Sequence, residues 1–169
     1  MSTTRAKVPV YLDIETSYRG EITIVGLYTP RRGTKQLVGG EVTALNLLEA
    51  LRDAEIIKTY NGDRFDLPVI QQRLGVDLKA LLPHEDIMYR CWRHHLKGGL
   101  KAVERQLGLH RQSQGVDGLQ AMALWADWQA SGRRESLEIL LQYNREDVEL
   151  LEQVELRLAE LEKSRNNAG

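Results

Sequence analysis

The sequence has few of the features that would place it in a specialised class. A single cysteine, Cys91, cannot form an internal disulfide, which points to a reducing compartment. No apolar run approaches the roughly 18 consecutive residues of a membrane span, so no membrane partner is expected. Charge of one sign is missing too. Lysine and arginine number 23 against 24 acids, and the net charge of -1 excludes a polybasic protein that binds by bulk positive charge. The stretch Met1–Lys7 has no signal-peptide core and runs directly into a strand-like segment, so the expected location is the cytoplasm. Repeats, linkers and low-complexity tracts are lacking as well. What is present is 42% hydrophobic and 28% charged residues in 169, a globular composition. That length suits one domain, 1–169, with a core from about 8 to 160, large enough to fold without metal or disulfide. Nothing in the sequence names a protein partner.

The first third reads as β. Val8, Val10, Leu12 and Ile14 alternate with Tyr11, Asp13 and Glu15, so the two sets face opposite sides of a strand. Residues 20–29 predict a second strand, 30–33 its turn, and 35–38 a shorter third. Thr43 caps a helix through 53, and 56–60 form a fourth strand closed by Asn61-Gly62. Everything after that reads as helical, with helices starting near Asp66 and lying near 86–95, 100–107 and 117–131. A long last helix runs from about 135 to 162, with 164–169 frayed. The expected class is α/β, with a mixed sheet of three antiparallel strands plus parallel ones, flanked by helices.

Three acidic segments carry the chemistry. On a strand, Asp13 and Glu15 point to one side about 6.6 Å apart. Two like charges there repel by about 2.5 kcal/mol at an effective dielectric of 20, so a half-buried strand needs a cation between them. Asp66 stands at the mouth of the next helix, where an N-cap explains it equally well and metal contact is not excluded. If strands one and four are parallel neighbours, Asp66 meets Asp13 and Glu15 at the ligand edge of the sheet. Tyr143 and Asp147, at i and i+4, lie along the border of the apolar stripe of the last helix, half-buried. Taken singly, each segment also has a plain reading: a solvated strand face, a helix cap, and one aromatic and one acid on an acidic helix.

Together, Asp13-Ile14-Glu15-Thr16, Tyr60-Asn61-Gly62-Asp63-Arg64-Phe65-Asp66-Leu67-Pro68 and Tyr143-x-x-x-Asp147 resemble the three exonuclease motifs of the DEDDy branch of the DnaQ-like 3'–5' exonucleases, which have a ribonuclease H-like fold. The first two look most like the proofreading exonuclease of family-B DNA polymerases. The length and the 84–111 segment look more like a stand-alone predicted bacterial exonuclease group. In the sister DEDDh branch a histidine five residues before the last aspartate replaces the tyrosine; here that position is Gln142. The resemblance implies a ribonuclease H-like fold and two divalent cations, Mg²⁺ or Mn²⁺. Asp13, Glu15, Asp66 and Asp147 would be the metal ligands, with Asp13 bridging, and Tyr143 would orient the attacking water. The implied partner is the single-stranded 3' end of DNA or RNA, hydrolysed to 5'-mononucleotides. All-oxygen ligands suit those hard ions rather than zinc. His84, His94, His95 and His110 lie in a segment away from the carboxylates, so no histidine metal site is expected.

By the same resemblance, Thr16, Asn61 and Phe65 are expected around the terminal nucleotide, although core packing explains Phe65, the single phenylalanine, equally well. Lys97 and Lys101 are expected at phosphates, beside Gly98-Gly99. Arg90, Arg93, Lys97, Lys101, Arg105 and Arg111 outnumber Glu85, Asp86 and Glu104 in that segment, although a solvated basic helix face fits the same residues. Asp86, Asp117 and Asp127 have no assigned role. Two further readings stand beside the exonuclease: an endonuclease or structure-specific nuclease with the same carboxylates, and a catalytically idle nucleic-acid-binding module. Two bound dications would turn the net charge positive where a phosphate must sit.

Overall fold

The computed structural model describes residues 7–167. Five strands form one mixed sheet: β1 (Pro9–Thr16), β2 (Ile22–Thr29), β3 (Gly33–Val38), β4 (Ile56–Thr59) and β5 (His84–Asp86). Their spatial order is β3-β2-β1-β4-β5, antiparallel from β3 to β1 and parallel from β1 through β4 to β5. Short turns make the antiparallel half, and helical crossovers the parallel half.

The helices are α1 (Ala44–Ala50), α2 (Asp66–Leu74), α3 (Leu78–Leu81), α4 (Ile87–Arg93), α5 (Leu100–Gln106), α6 (Gly118–Ser131) and α7 (Arg134–Asn167). Val10, Leu12 and Ile14 of β1 pack with Leu47, Leu67, Ile70 and Leu78 from α1 to α3. On the opposite face, Tyr11 packs with Ile87, Cys91 and Val103 and with Val148, Leu151, Val154 and Leu158 of α7. Ile24, Ala121, Leu140 and Tyr143 continue that layer under α6. The alternation along β1 thus separates the two cores, and Asp13 and Glu15 share the side covered by α7. No helix among the described residues is long and apolar enough to cross a membrane.

Three local expectations are corrected. The segment after β4 is not wholly helical, because His84–Asp86 pairs in parallel with β4 as β5. Three polar residues carry no period-two signal, and the strand exists only because β4 offers its edge. A further one-turn helix, α3, starts at an Asp77 cap. The last helix does not fray at 164; it continues to Asn167, about 50 Å in all at 1.5 Å per residue. The expectation for the first few residues, and for 168–169, falls outside the described residues.

Candidate active site

β1 presents Asp13 and Glu15 toward α7, and α7 returns Asp147. One carboxylate oxygen from each of the three lies within 4.8 Å of the other two. Among the described residues, Oε1 of Glu15 is buried without a hydrogen-bond partner. Enclosure first, then the charges of Asp147, Glu15 and Asp66, push the Asp13 pKa well above the usual carboxylate range. Burial and the Asp147 charge raise Glu15 to about 8. Asp147 is also raised, chiefly by burial, with Arg111 opposing the shift.

Asp66 is the first residue of α2, not its cap. The N-cap position is Phe65, which makes no side-chain capping bond. The Asp66 carboxylate instead reaches across to β1, where Oδ1 accepts from the Ile14 N–H at 2.9 Å. It is buried at the sheet edge that holds Asp13 and Glu15, outside their three-carboxylate cluster, and burial raises it to about 7. The adjacency of β1 and β4 accounts for this convergence.

Tyr143 and Asp147 are buried rather than half-buried, because α6 and α5 cover the border of the stripe that faces β1. The Lys101 ammonium donates to the Tyr143 hydroxyl at 2.5 Å and lies 4.1 Å from the ring centroid. Burial, followed by the Asp147, Glu15 and Asp13 charges, raises the phenol pKa, so Tyr143 stays neutral. With one lone pair taken by Lys101, its own O–H is free to donate.

Three buried polar residues were not foreseen in these roles. Asn144 lies over a cross-strand row, Asp13–Gly26–Gln36, set by the pairing of β1, β2 and β3. Its Nδ2 donates to Oδ2 of Asp13 at 3.0 Å, and its Oδ1 accepts from Gln36 Nε2 at 3.0 Å. Gly26 makes the room: a Cβ there would collide with Oδ1 of Asn144 and stand 3.0 Å from its Cγ and Nδ2. Gly26→Ala is therefore expected to lose about 1–3 kcal/mol in urea unfolding and to weaken Mn²⁺ binding at Asp13. Wild-type values for both would show that Asn144 does not brace Asp13.

Arg111 and Glu104 are the other two. Arg111 grips Glu104 through Nε at 2.5 Å and Nη2 at 2.6 Å, and Nη2 also pairs with Asp147. Burial works against the Arg111 charge, but both carboxylates hold it, and its Nη1 is buried without a partner. The loop carrying Arg111 is fixed by Glu146, which accepts from the Gln112 N–H at 2.9 Å, from Gln142 at 2.9 Å and from Ser113.

The basic segment is accordingly less free than its composition suggests. Arg90 is bound to Glu162 at 2.6 Å and Arg111 is internal, while Arg93, Lys97 and Arg105 are exposed without an ion pair among the described residues. Among the described residues, Lys97 forms no side-chain hydrogen bond or ion pair with the carboxylates; its carbonyl accepts from Gln106. Thr16 ends β1 just beyond a shift in its register with β2, and Phe65 is exposed beside Asp66. Asn61 takes a φ of +60°, a left-handed turn that asparagine tolerates. Among the described residues the cluster consists of carboxylates; His84 meets Thr59, and His94 meets Glu162 near the far end of α7. The acids without an assigned role prove structural: Asp86 and Asp117 cap α4 and α6, and Asp127 accepts from Ser136.

A family model described as RNase_H superfamily matches residues 10–159. Among solved structures, the family B DNA polymerase from the hyperthermophilic archaeon Pyrobaculum calidifontis superposes on 95% of this chain with a TM-score of 0.66 at 16% sequence identity. This chain spans 25% of that polymerase, and the likeness is one of fold. No curated protein matches the chain.

Proposed function

The chain belongs to the RNase_H superfamily, and from that footing we propose that it is a metal-dependent 3'–5' exonuclease hydrolysing phosphodiester bonds of DNA or RNA. The carrying observation is the convergence of Asp13, Glu15 and Asp147 on one point between β1 and α7. The residues fit a hard dication. All donors are oxygens, one Glu15 oxygen is buried and unpartnered, and the carboxylates resist ionising together without a cation. Asp13, Glu15 and Asp147 would hold one ion, and Asp13 and Asp66 a second. Bound there, Mg²⁺ or Mn²⁺ supplies Lewis acidity that stabilises the attacking and leaving oxygens of an in-line displacement.

The chain's own groups do the positioning. Asn144 orients Asp13, and the Ile14 N–H orients Asp66. Tyr143, a neutral phenol, donates to the attacking water rather than removing its proton. Lys101 sets that hydroxyl and offers charge to the phosphate. Arg111 balances Asp147 while Glu104 balances Arg111. Thr16, Asn61 and Phe65 would surround the terminal nucleotide, with Lys97 farther along the strand. Cys91 is a buried free thiol, which fits the expected reducing compartment.

Tyr143→Phe is expected to lower kcat about 10²-fold with little change in KM, read by nucleotide release under saturating Mn²⁺. An unchanged kcat would remove the water-orienting role. The direction of attack is tested by a 3'-phosphate block, which should stop hydrolysis; continued internal cleavage would make the protein an endonuclease.

A further inference from the structure

One carboxylate ties the loop after β4 to the start of α4. Asp86 is buried and accepts from the backbone N–H groups of Asn61 at 2.8 Å, Asp63 at 3.1 Å and Met88 at 3.1 Å. The loop that leads into Asp66 and the free face of α4 therefore keep a fixed relation. On α4, Tyr89, Trp92 and Arg93 occupy i, i+3 and i+4, while Arg90 turns to Glu162 on α7. Tyr89 and Trp92 meet edge to face, with ring centroids 5.4 Å apart at 80°. The guanidinium carbon of Arg64 lies 5.6 Å from the Trp92 ring and 5.9 Å from the Tyr89 ring.

This cluster has no evident duty in the core. Neither Tyr89 nor Trp92 joins a buried apolar cluster among the described residues, and Trp92 remains 40% exposed. Arg64 has no carboxylate partner among the described residues; the nearby Asp63 is taken by Lys79 and the Tyr89 hydroxyl. Phe65 follows Arg64 and is 43% exposed. Arg64 precedes Asp66 by two residues, so their backbones lie within about 7 Å. An exposed guanidinium on aromatic rings, at the edge of a carboxylate site, offers π-faces to bases and positive charge to the backbone that links them.

We propose that Arg64, Tyr89 and Trp92 form a stacking platform for the unpaired bases of single-stranded nucleic acid, leading away from the strand end held at the carboxylates. The proposal deepens the nuclease reading and rests on it for the position of that end. Stacking does not depend on base identity, so the platform selects for unpaired strand and for length rather than sequence.

The test is fluorescence anisotropy with a labelled oligothymidylate decamer and a labelled thymidine dinucleotide, both built with bridging-methylene phosphonate linkages that resist hydrolysis, in Mn²⁺, on an otherwise wild-type background. Trp92→Ala and Arg64→Ala are each expected to weaken decamer binding about tenfold and to leave the dinucleotide unchanged. Trp92→Phe keeps a stacking ring at an unchanged fold and is expected to bind the decamer within about threefold of the background protein. Decamer affinity unchanged in both alanine variants would overturn the platform, and so would an equal loss for both oligomers. Loss of decamer affinity in the alanine variants, from a wild-type protein that releases no nucleotide, would sustain the platform while removing the exonuclease reading.

Discussion

Asp13→Asn is expected to abolish metal-dependent hydrolysis and, in metal-free buffer, to raise the melting temperature at neutral pH. Asp13 would be the ligand shared by both ions. Losing it withdraws several kcal/mol of charge stabilisation, a rate loss of at least about 10³-fold. The amide still fits against Asn144, so the fold has no reason to fail. The stability effect follows from linkage. Asp13, Glu15 and Asp66 all have folded-state pKa values above the usual carboxylate range, chiefly through burial, so the folded protein holds these protons more tightly than the unfolded chain. Their contribution is fully present below the ordinary carboxylate pKa and is lost as pH rises toward about 8, the Glu15 value. Metal-free wild type should therefore lose stability across that window. The asparagine variant should lose less, and Mn²⁺ should rescue wild type alone. A variant that melts below wild type in EDTA at neutral pH would refute the electrostatic reading.

Arg111→Met is expected to cost about 3–5 kcal/mol in urea unfolding. Glu104 is 1% exposed, and Arg111 is its one ion-pair partner among the described residues. Removing the guanidinium leaves that carboxylate buried without its ion pair, and deprives Asp147 of its own. Glu104→Leu combined with Arg111→Met replaces the pair by apolar groups of similar volume and should recover most of the loss. The double-mutant cycle then isolates the pair. Additive losses would mean that Arg111 supports Asp147 and the loop independently of Glu104.

The contrast between what was and was not legible is physical. β1 was readable because a strand's two-residue period is written in the side chains: Val10, Leu12 and Ile14 enter one core while Tyr11 enters the other. The ligand edge was readable only on the condition that β1 and β4 are parallel neighbours, a condition that the sheet order meets. β5 was not, since three residues have no period and depend on a partner 25 residues and more away. Arg111 read as one of a basic run; its actual partners are Glu104, one helix away, and Asp147, 36 positions along the chain. Asn144 carried a usable signal. It stands four residues after Leu140 and four before Val148, an inward position by spacing alone, and a polar residue in such a stripe needs a polar partner. The partner, Asp13, becomes visible only once β2 leaves Gly26 without a side chain beneath it.

The most direct measurement is the product of a single-stranded oligonucleotide, labelled at its 5' end and incubated with Mn²⁺, for wild type beside Asp13→Asn. The expected result for wild type is a ladder that shortens one nucleotide at a time from the 3' end, with release of 5'-mononucleotides. The ladder should be absent in EDTA and absent in the variant. Fragments cut at internal positions, or the same ladder from Asp13→Asn, would contradict a carboxylate-held metal site acting on a 3' terminus.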